Sequence, residues 1–257
     1  MIHYHVLGPL ESRAGIRVYA PRGPKIGKVL ALLLLRANQV VSVRALADEL
    51  WDQRPPPSAI STIRTHVYHL RKALEAAPIA PVQLMTEPTG YRLVLEPEQL
   101  DAEVFARTVD RGRALLGRGD ATEAASVLRA ALDMWRGPAL ANLDPGPVLI
   151  RHVEYLEESR IGALELRIEA DLQLGRHRHL VAELRGLVAE HPLHEWFYAR
   201  LIDALHRSGR RGEALQVFLD LRGVLDRELG LEPSADLQRL QQEVLTSGAR
   251  GGVRAVS

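Results

Sequence analysis

The sequence predicts an α+β amino-terminal segment followed by an all-α remainder. Strand-like runs are confined to residues 1–97, whereas helical periodicity dominates from Asp101 to about Thr246. Glycine and proline break that second stretch at regular places: Gly117–Gly119, Gly137-Pro138, Pro145–Pro147, Gly175, Pro192, Gly209 and Pro233. A third observation is the run Ser58–Glu75, SAISTIRTHVYHLRKALE, whose two faces differ sharply in chemistry.

The elements follow in order. His3–Leu7 and Ile16–Tyr19 read as short strands around turns at Gly8-Pro9 and Gly15. Lys25–Arg36 is a strongly apolar helix that buries Val29, Leu30, Leu33 and Leu34. Ser42–Trp51 starts on a capping serine and places Val43, Leu46, Ala47 and Leu50 on one face. Pro55-Pro56-Pro57 then halts the chain, and Ser58 is expected to cap the next helix. In that helix Ile60, Ile63, Val67, Leu70 and Leu74 fall at helical spacing and form one expected core stripe. Val82–Thr86 and Tyr91–Leu95 are strands joined tightly through Glu87-Pro88-Thr89-Gly90. The order is strands, three helices, hairpin; two packed helices followed by a hairpin make a winged helix-turn-helix, whose last helix enters a DNA groove with the hairpin beside it.

The outward face of Ser58–Glu75 fits that role. It carries Thr62, Arg64, Thr65, His66, Tyr68, His69, Arg71 and Lys72, with no acid before Glu75. Such side chains donate to guanine edges and to phosphates. Arg64 and one neighbour are expected to read bases, while Arg71 and Lys72 hold phosphates. A solvated amphipathic helix would show similar charge; the neighbouring helix, proline break and hairpin decide for DNA.

Helices are expected near 101–117, 120–135, 148–174, 177–190, 194–208, 211–229 and 234–246. Leu174-Gly175-Arg176 and Ser208-Gly209-Arg210 stand 34 residues apart, the period of a tetratricopeptide helical pair. Gly209 and Gly119 each open a G-x-x-x-E-A pattern, which puts a small Ala214 or Ala124 where helices meet. A generic helical bundle would be the plainer reading of a single such interval. Residues 1–97 are expected to form the DNA-binding domain, 101–246 the helical domain, and 247–257 a disordered tail.

Composition bounds the function. The chain has 257 residues, 46% hydrophobic and 25% charged, as an ordinary globular protein does. Residues 1–100 hold 12 Lys and Arg against 8 Asp and Glu, and the remainder holds 21 against 24. A mildly basic first part and a mildly acidic second part point to separate partners. Cysteine is absent, so disulfides and thiolate chemistry are excluded. The longest aliphatic run, Val29–Leu35, is too short to span a bilayer. The start MIHYHVLGPLE lacks a secretory signal pattern, and a cytoplasmic location is expected. No G-x-x-x-x-G-K-[ST] run exists, so no nucleotide site is expected. His177, His179, His191 and His194 lack the i,i+4 spacing of a helical zinc pair, so neither metal nor other cofactor is expected. Trp51, Trp135 and Trp196 are expected to close helix interfaces.

Several runs together resemble one family. Lys25-Ile-Gly-Lys-Val-Leu-Ala-Leu-Leu-Leu, Ser42–Trp51, Ile63–Leu74 and Thr89-Gly-Tyr-Arg-Leu93 are similar to an OmpR-type winged helix. Asp133–Leu140, Leu174-Gly-Arg-His177, His191–Glu195, Leu205–Arg210 and Glu228–Pro233 are similar to a bacterial transcriptional activator domain. The combination, over roughly residues 2–246, resembles the Streptomyces antibiotic regulatory protein family in its short two-domain form. That resemblance implies an activator of a secondary-metabolite gene cluster, not an enzyme. It also implies double-stranded DNA with direct repeats as one partner and RNA polymerase holoenzyme, with its sigma factor, as another. A dimer on DNA and a nucleoid location are implied too. Carried onto this chain, the recognition positions are Thr62, Arg64, Thr65, Tyr68, His69, Arg71 and Lys72, and the wing positions are Thr89 and Arg92. Glu87-Pro88 departs from the family, where many wings carry a basic residue and glycine. No receiver domain is expected before residue 1. A helical adaptor whose winged helix binds protein is the alternative.

Overall fold

A computed structural model describes residues 4–14, 17–19, 23–52, 54–76 and 83–247. His3, Gly15, Ile16 and Val82 of the expected strands and turns, and the tail beyond Ser247, lie outside these. The chain divides into two compact units. One runs to Arg118 and includes Ser126–Leu166; the other comprises Gly119–Ala125 and everything from Arg167 onward.

The first unit opens with a three-stranded antiparallel sheet, β1 (Tyr4–His5), β2 (Glu11–Ala14) and β3 (Arg17–Tyr19), with β2 in the middle. The middle strand is new relative to the sequence reading. Helix α1 (Pro24–Leu35) starts on a proline, which fits a first-turn position whose N–H needs no partner. Every side chain from Val29 to Leu34 is buried, so α1 is the central helix of this unit. A two-residue β4 (Val41–Ser42) leads into α2 (Val43–Trp51), and the Ser42 hydroxyl accepts from Ala45 N–H at 3.1 Å, the expected cap. Helix α3 (Ala59–Ala76) packs on α1 and α2.

On α3 the core stripe is Ala59, Ile63, Val67 and Leu70. Ile60, expected inside, is 54% exposed. Ala59 lies four residues before Ile63 and follows the stripe's drift, whereas Ile60 lies three before and swings to its outer edge. The hairpin β5 (Gln83–Glu87) and β6 (Gly90–Val94) closes through Pro88-Thr89, and β4 pairs with β6 to give the order β4-β6-β5. Gly90 is obligatory there: a Cβ would stand 1.9 Å from the Val41 carbonyl oxygen of the neighbouring strand.

Three helices belong wholly or partly to this unit's continuation. Helix α4 spans Asp101–Gly117, α5 Ala121–Leu132 and α6 Pro147–Gln173. Helix α5 ends three residues earlier than its periodicity predicts. The chain leaves the helix so that Trp135 can pack edge-on against Phe105, ring centroids 5.6 Å apart, beneath the Arg160 guanidinium. Beyond it Arg136 and Leu140 donate their N–H groups to the carbonyls of Leu7 and Val6. Leu140 takes a left-handed φ of 54° to do so.

Buried acids bind these helices to the amino-terminal elements. The Asp101 carboxylate, 1% exposed, accepts from the N–H groups of Val6 and Leu7 at 2.9–3.2 Å. Glu49 of α2, 2% exposed, accepts from Gly146, Val148 and Leu149 N–H at 2.6, 3.1 and 2.8 Å. Those are the orphan donors at the start of α6, where an anion is favoured by the helix dipole. Pro147 has no N–H to satisfy, and a Cβ on Gly146 would meet the Glu49 carbonyl oxygen at 2.2 Å.

The second unit contains α7 (His177–Glu190), α8 (Glu195–Arg207), α9 (Arg211–Leu229) and α10 (Ala235–Ser247). Helix α8 packs on both α7 and α9, and α10 lies against α8 and α9. The turns before α7 and α9 place Gly175 and Gly209 at positive φ, 72° and 79°, the same left-handed turn 34 residues apart. Ala214 and Ala124 are fully buried after their turns. This is the tetratricopeptide-like pattern. Arg167, 5% exposed, is held by Asp171 and Glu183, and Asp171 also takes Arg176 at 2.7 Å.

Candidate nucleic-acid interface

Helix α3 presents Arg64, Thr65, Tyr68, His69 and Lys72 to solvent. Tyr68 is 52% exposed, the Lys72 ammonium lies over its ring at 5.0 Å, and the His69 ring meets it edge-on. These side chains form one continuous strip, anchored from behind by Ile63, Val67 and Leu70. Its hydroxyls are partly committed: Thr65 donates to the Ser61 carbonyl at 3.0 Å, and Ser61 to that of Ser58 at 2.8 Å.

Three of the expected residues sit differently. Thr62 and His66 are half-buried at the edge of the core. Burial, and then the charges of Lys25 and His69, lower the His66 pKa below the ordinary imidazole value. Arg71 turns to the wing. Its Nε donates to the Leu84 carbonyl at 2.9 Å and its Nη2 to the Thr86 hydroxyl at 2.7 Å, so it fixes β5 to α3. No periodicity could announce that, because one acceptor is a backbone carbonyl 13 residues away.

On the wing, Thr89 and Pro88 are exposed at the tip. Arg92 is paired with the Glu87 carboxylate within the hairpin. The departure from the family at Glu87 thus has a physical outcome: the wing's only cation meets an acid of its own. Among the described residues no group of three or more His, Cys, Asp or Glu is placed to hold a metal, and no helix is long and apolar enough to cross a membrane. In the second unit the His194 ring instead stacks on Phe197, with His191 edge-on to His194 and tilted against Phe197.

Comparison with known proteins matches residues 100–245 to the bacterial transcriptional activator domain, and residues 21–93 to the carboxy-terminal domain of transcriptional regulatory proteins. The regulatory protein DnrI of Streptomyces peucetius is 43% identical over 94% of this chain and 91% of its own length. The chain belongs to the Streptomyces antibiotic regulatory protein family.

Other relatives of this family extend the likeness. The transcriptional regulator RedD of Streptomyces coelicolor is 34% identical over 95% of the chain and 70% of its own length. The regulatory protein AfsR of Streptomyces griseus is 36% identical, but this chain spans only 24% of it. A solved structure of Mycobacterium tuberculosis EmbR, in complex with a low affinity phosphopeptide, superposes with a TM-score of 0.90 at 32% identity. It covers 96% of this chain, which in turn spans 65% of it. The winged helix followed by a helical activator domain is therefore the architecture of this transcriptional regulator. The family's two matched segments meet near residue 100, whereas packing divides the chain at 118 and 166.

Proposed function

We propose that the protein is a sequence-specific DNA-binding activator of a secondary-metabolite gene cluster. It reads direct repeats through α3 and recruits RNA polymerase holoenzyme, sigma factor included. The observation that carries this reading is the solvent-facing strip of α3, with Arg64, Thr65, Tyr68, His69 and Lys72 exposed and no acid from Ser58 to Leu74. Arg64 and His69 contact base edges, the Tyr68 ring offers an apolar face to a thymine methyl, and Lys72 holds phosphate. Thr89 brings the wing tip to the backbone. Thr62 supports the strip from its edge. Arg71 acts as a positioning residue by holding the wing against α3.

Two copies bind head to tail on one face of the duplex, which sets the repeats about one helical turn, roughly 10–11 base pairs, apart. The helical domain supports that assembly and the polymerase contact, as its mild acidity and stacked helix pairs suit protein partners. The protein works in the cytoplasm, at the nucleoid when bound.

Selection of bound duplexes from a random pool, followed by affinity measured against salt, tests the reading. Enriched direct repeats and a log–log salt slope of several units are expected. A pool without enrichment, or binding indifferent to salt, would leave the adaptor function instead. Arg64→Ala, His69→Ala and Lys72→Ala should weaken binding, the first two with relaxed preference at one base pair each.

A further inference from the structure

The hairpin Gln83–Val94 contains two charged residues, Glu87 and Arg92, and they face each other. Cross-strand register explains why. Met85 pairs with Arg92 and Glu87 with Gly90, so Glu87 and Arg92 are diagonal neighbours on one face of the sheet. That face is the outer one, for Leu84 and Leu93 are buried on the other while Met85 is exposed. The Glu87 side chain is 20% exposed and that of Arg92 37%, so the pair is partly buried at the edge of the hairpin and the two charges spend themselves on each other. Arg71 pins β5, and Gly90 is locked against Val41, so the pair rides on a fixed strand frame.

We infer that Glu87 is a charge mask on the wing: it occupies Arg92 and withholds it from the phosphate backbone. The inference rests on the reading that α3 and the hairpin face DNA. Its consequence is specificity. Attraction to phosphate is blind to sequence and strengthens binding to every duplex alike. A wing without net charge leaves the choice of duplex to the side chains of α3.

The test is the salt dependence of full-length protein binding to a mixed-sequence duplex. Glu87→Gln removes the acid and keeps the shape; Glu87→Thr, a good strand residue, serves as a second variant should the first fail to fold. Releasing Arg92 adds one phosphate contact, so the slope of log affinity against log salt steepens by about 0.9. Between about 50 and 200 mM salt the variant then loses affinity about 3.5-fold more than wild type. The added slope disappears in Glu87→Gln/Arg92→Gln. Wild-type slope in both single variants overturns the mask and leaves the DNA reading intact. A steeper slope that survives in the double variant overturns it too, since plain removal of an anion would then suffice. Wild-type protein that binds the duplex without salt dependence overturns both.

Discussion

Replacing Glu49 by alanine tests whether the winged-helix elements and the first activator helices fold as one body. Glu49 stands on α2, is 2% exposed, and accepts three N–H groups at the start of α6, all within 3.1 Å. A hydrogen bond to a charged acceptor contributes about 1.5–3 kcal/mol, and each orphaned buried donor costs about 1–3 kcal/mol. These figures overlap and do not add, and Gly146 is only partly buried, so the sum is capped by the cost of breaking a buried charged network, about 3–5 kcal/mol. That is a large share of a typical folding stability of about 5–15 kcal/mol. With a urea m-value near 2 kcal/mol per molar, the midpoint should fall by about 2 M. Trp51 and Trp135 report on the first unit and Trp196 on the second, so Trp51→Phe/Trp135→Phe and Trp196→Phe backgrounds separate the two transitions. Glu49→Ala should move the first transition only. A loss below about 1 kcal/mol would show that the α2–α6 clasp is incidental and that the winged helix stands alone.

Further outcomes are expected. Arg71→Ala should weaken DNA binding without changing its salt slope, because the side chain serves β5; a slope shallower by about 0.9 would make it a phosphate contact. His66 and His152 both have lowered pKa values, chiefly through burial, and then through Lys25 and His69 or Arg36 and Arg151. The unfolded chain therefore takes up these protons first, and folding stability falls as pH drops through about 6.5 toward the folded values. His66→Gln/His152→Gln should flatten the urea midpoint between about pH 5 and 7 relative to wild type; an equal slope would refute the assignment. Inserting about five base pairs between repeats should abolish cooperative binding by turning the second copy to the opposite face.

Much of the fold is legible because local signals agree. Proline at Pro24, the Ser42 cap and the glycine turns at Gly175 and Gly209 fix element ends that depend on neighbours only. What escapes sequence reading is set by distant partners. Glu11-Ser-Arg-Ala has poor strand composition, yet it becomes the middle strand because β1 and β3 supply hydrogen bonds on both sides. Glu49 looks like a solvated acid on an amphipathic helix until α6 brings its N–H groups to it. In the candidate site, exposure of Arg64, Thr65, Tyr68, His69 and Lys72 follows from period alone. The engagement of Arg71 and Arg92 does not, because their partners come from strand register and from a backbone carbonyl.

The charge left on the reading surface also argues for two copies. With Arg71 and Arg92 engaged inside the protein, the exposed strip of α3 offers Arg64 and Lys72 as its full cations. So small a phosphate term places one copy near the weak end of non-specific binding, about 10⁻⁴ M. Two base-reading side chains at about 1–3 kcal/mol each improve that to between roughly 3 × 10⁻⁶ and 4 × 10⁻⁹ M. Specific regulators work at about 10⁻⁸ M or tighter, so a single winged helix reaches that range only with both contacts near full strength and otherwise falls short by up to roughly a few hundredfold. On the proposed reading a second copy on the adjacent repeat would close that gap through effective concentration rather than further contacts to the bases. On the proposed reading the helical domain would supply the protein surface through which neighbouring copies hold one another. Duplexes carrying one repeat should accordingly bind at least tenfold more weakly than those carrying two in phase. Equal affinity for the two would mean that a single winged helix suffices and that cations beyond the α3 strip carry the phosphate term.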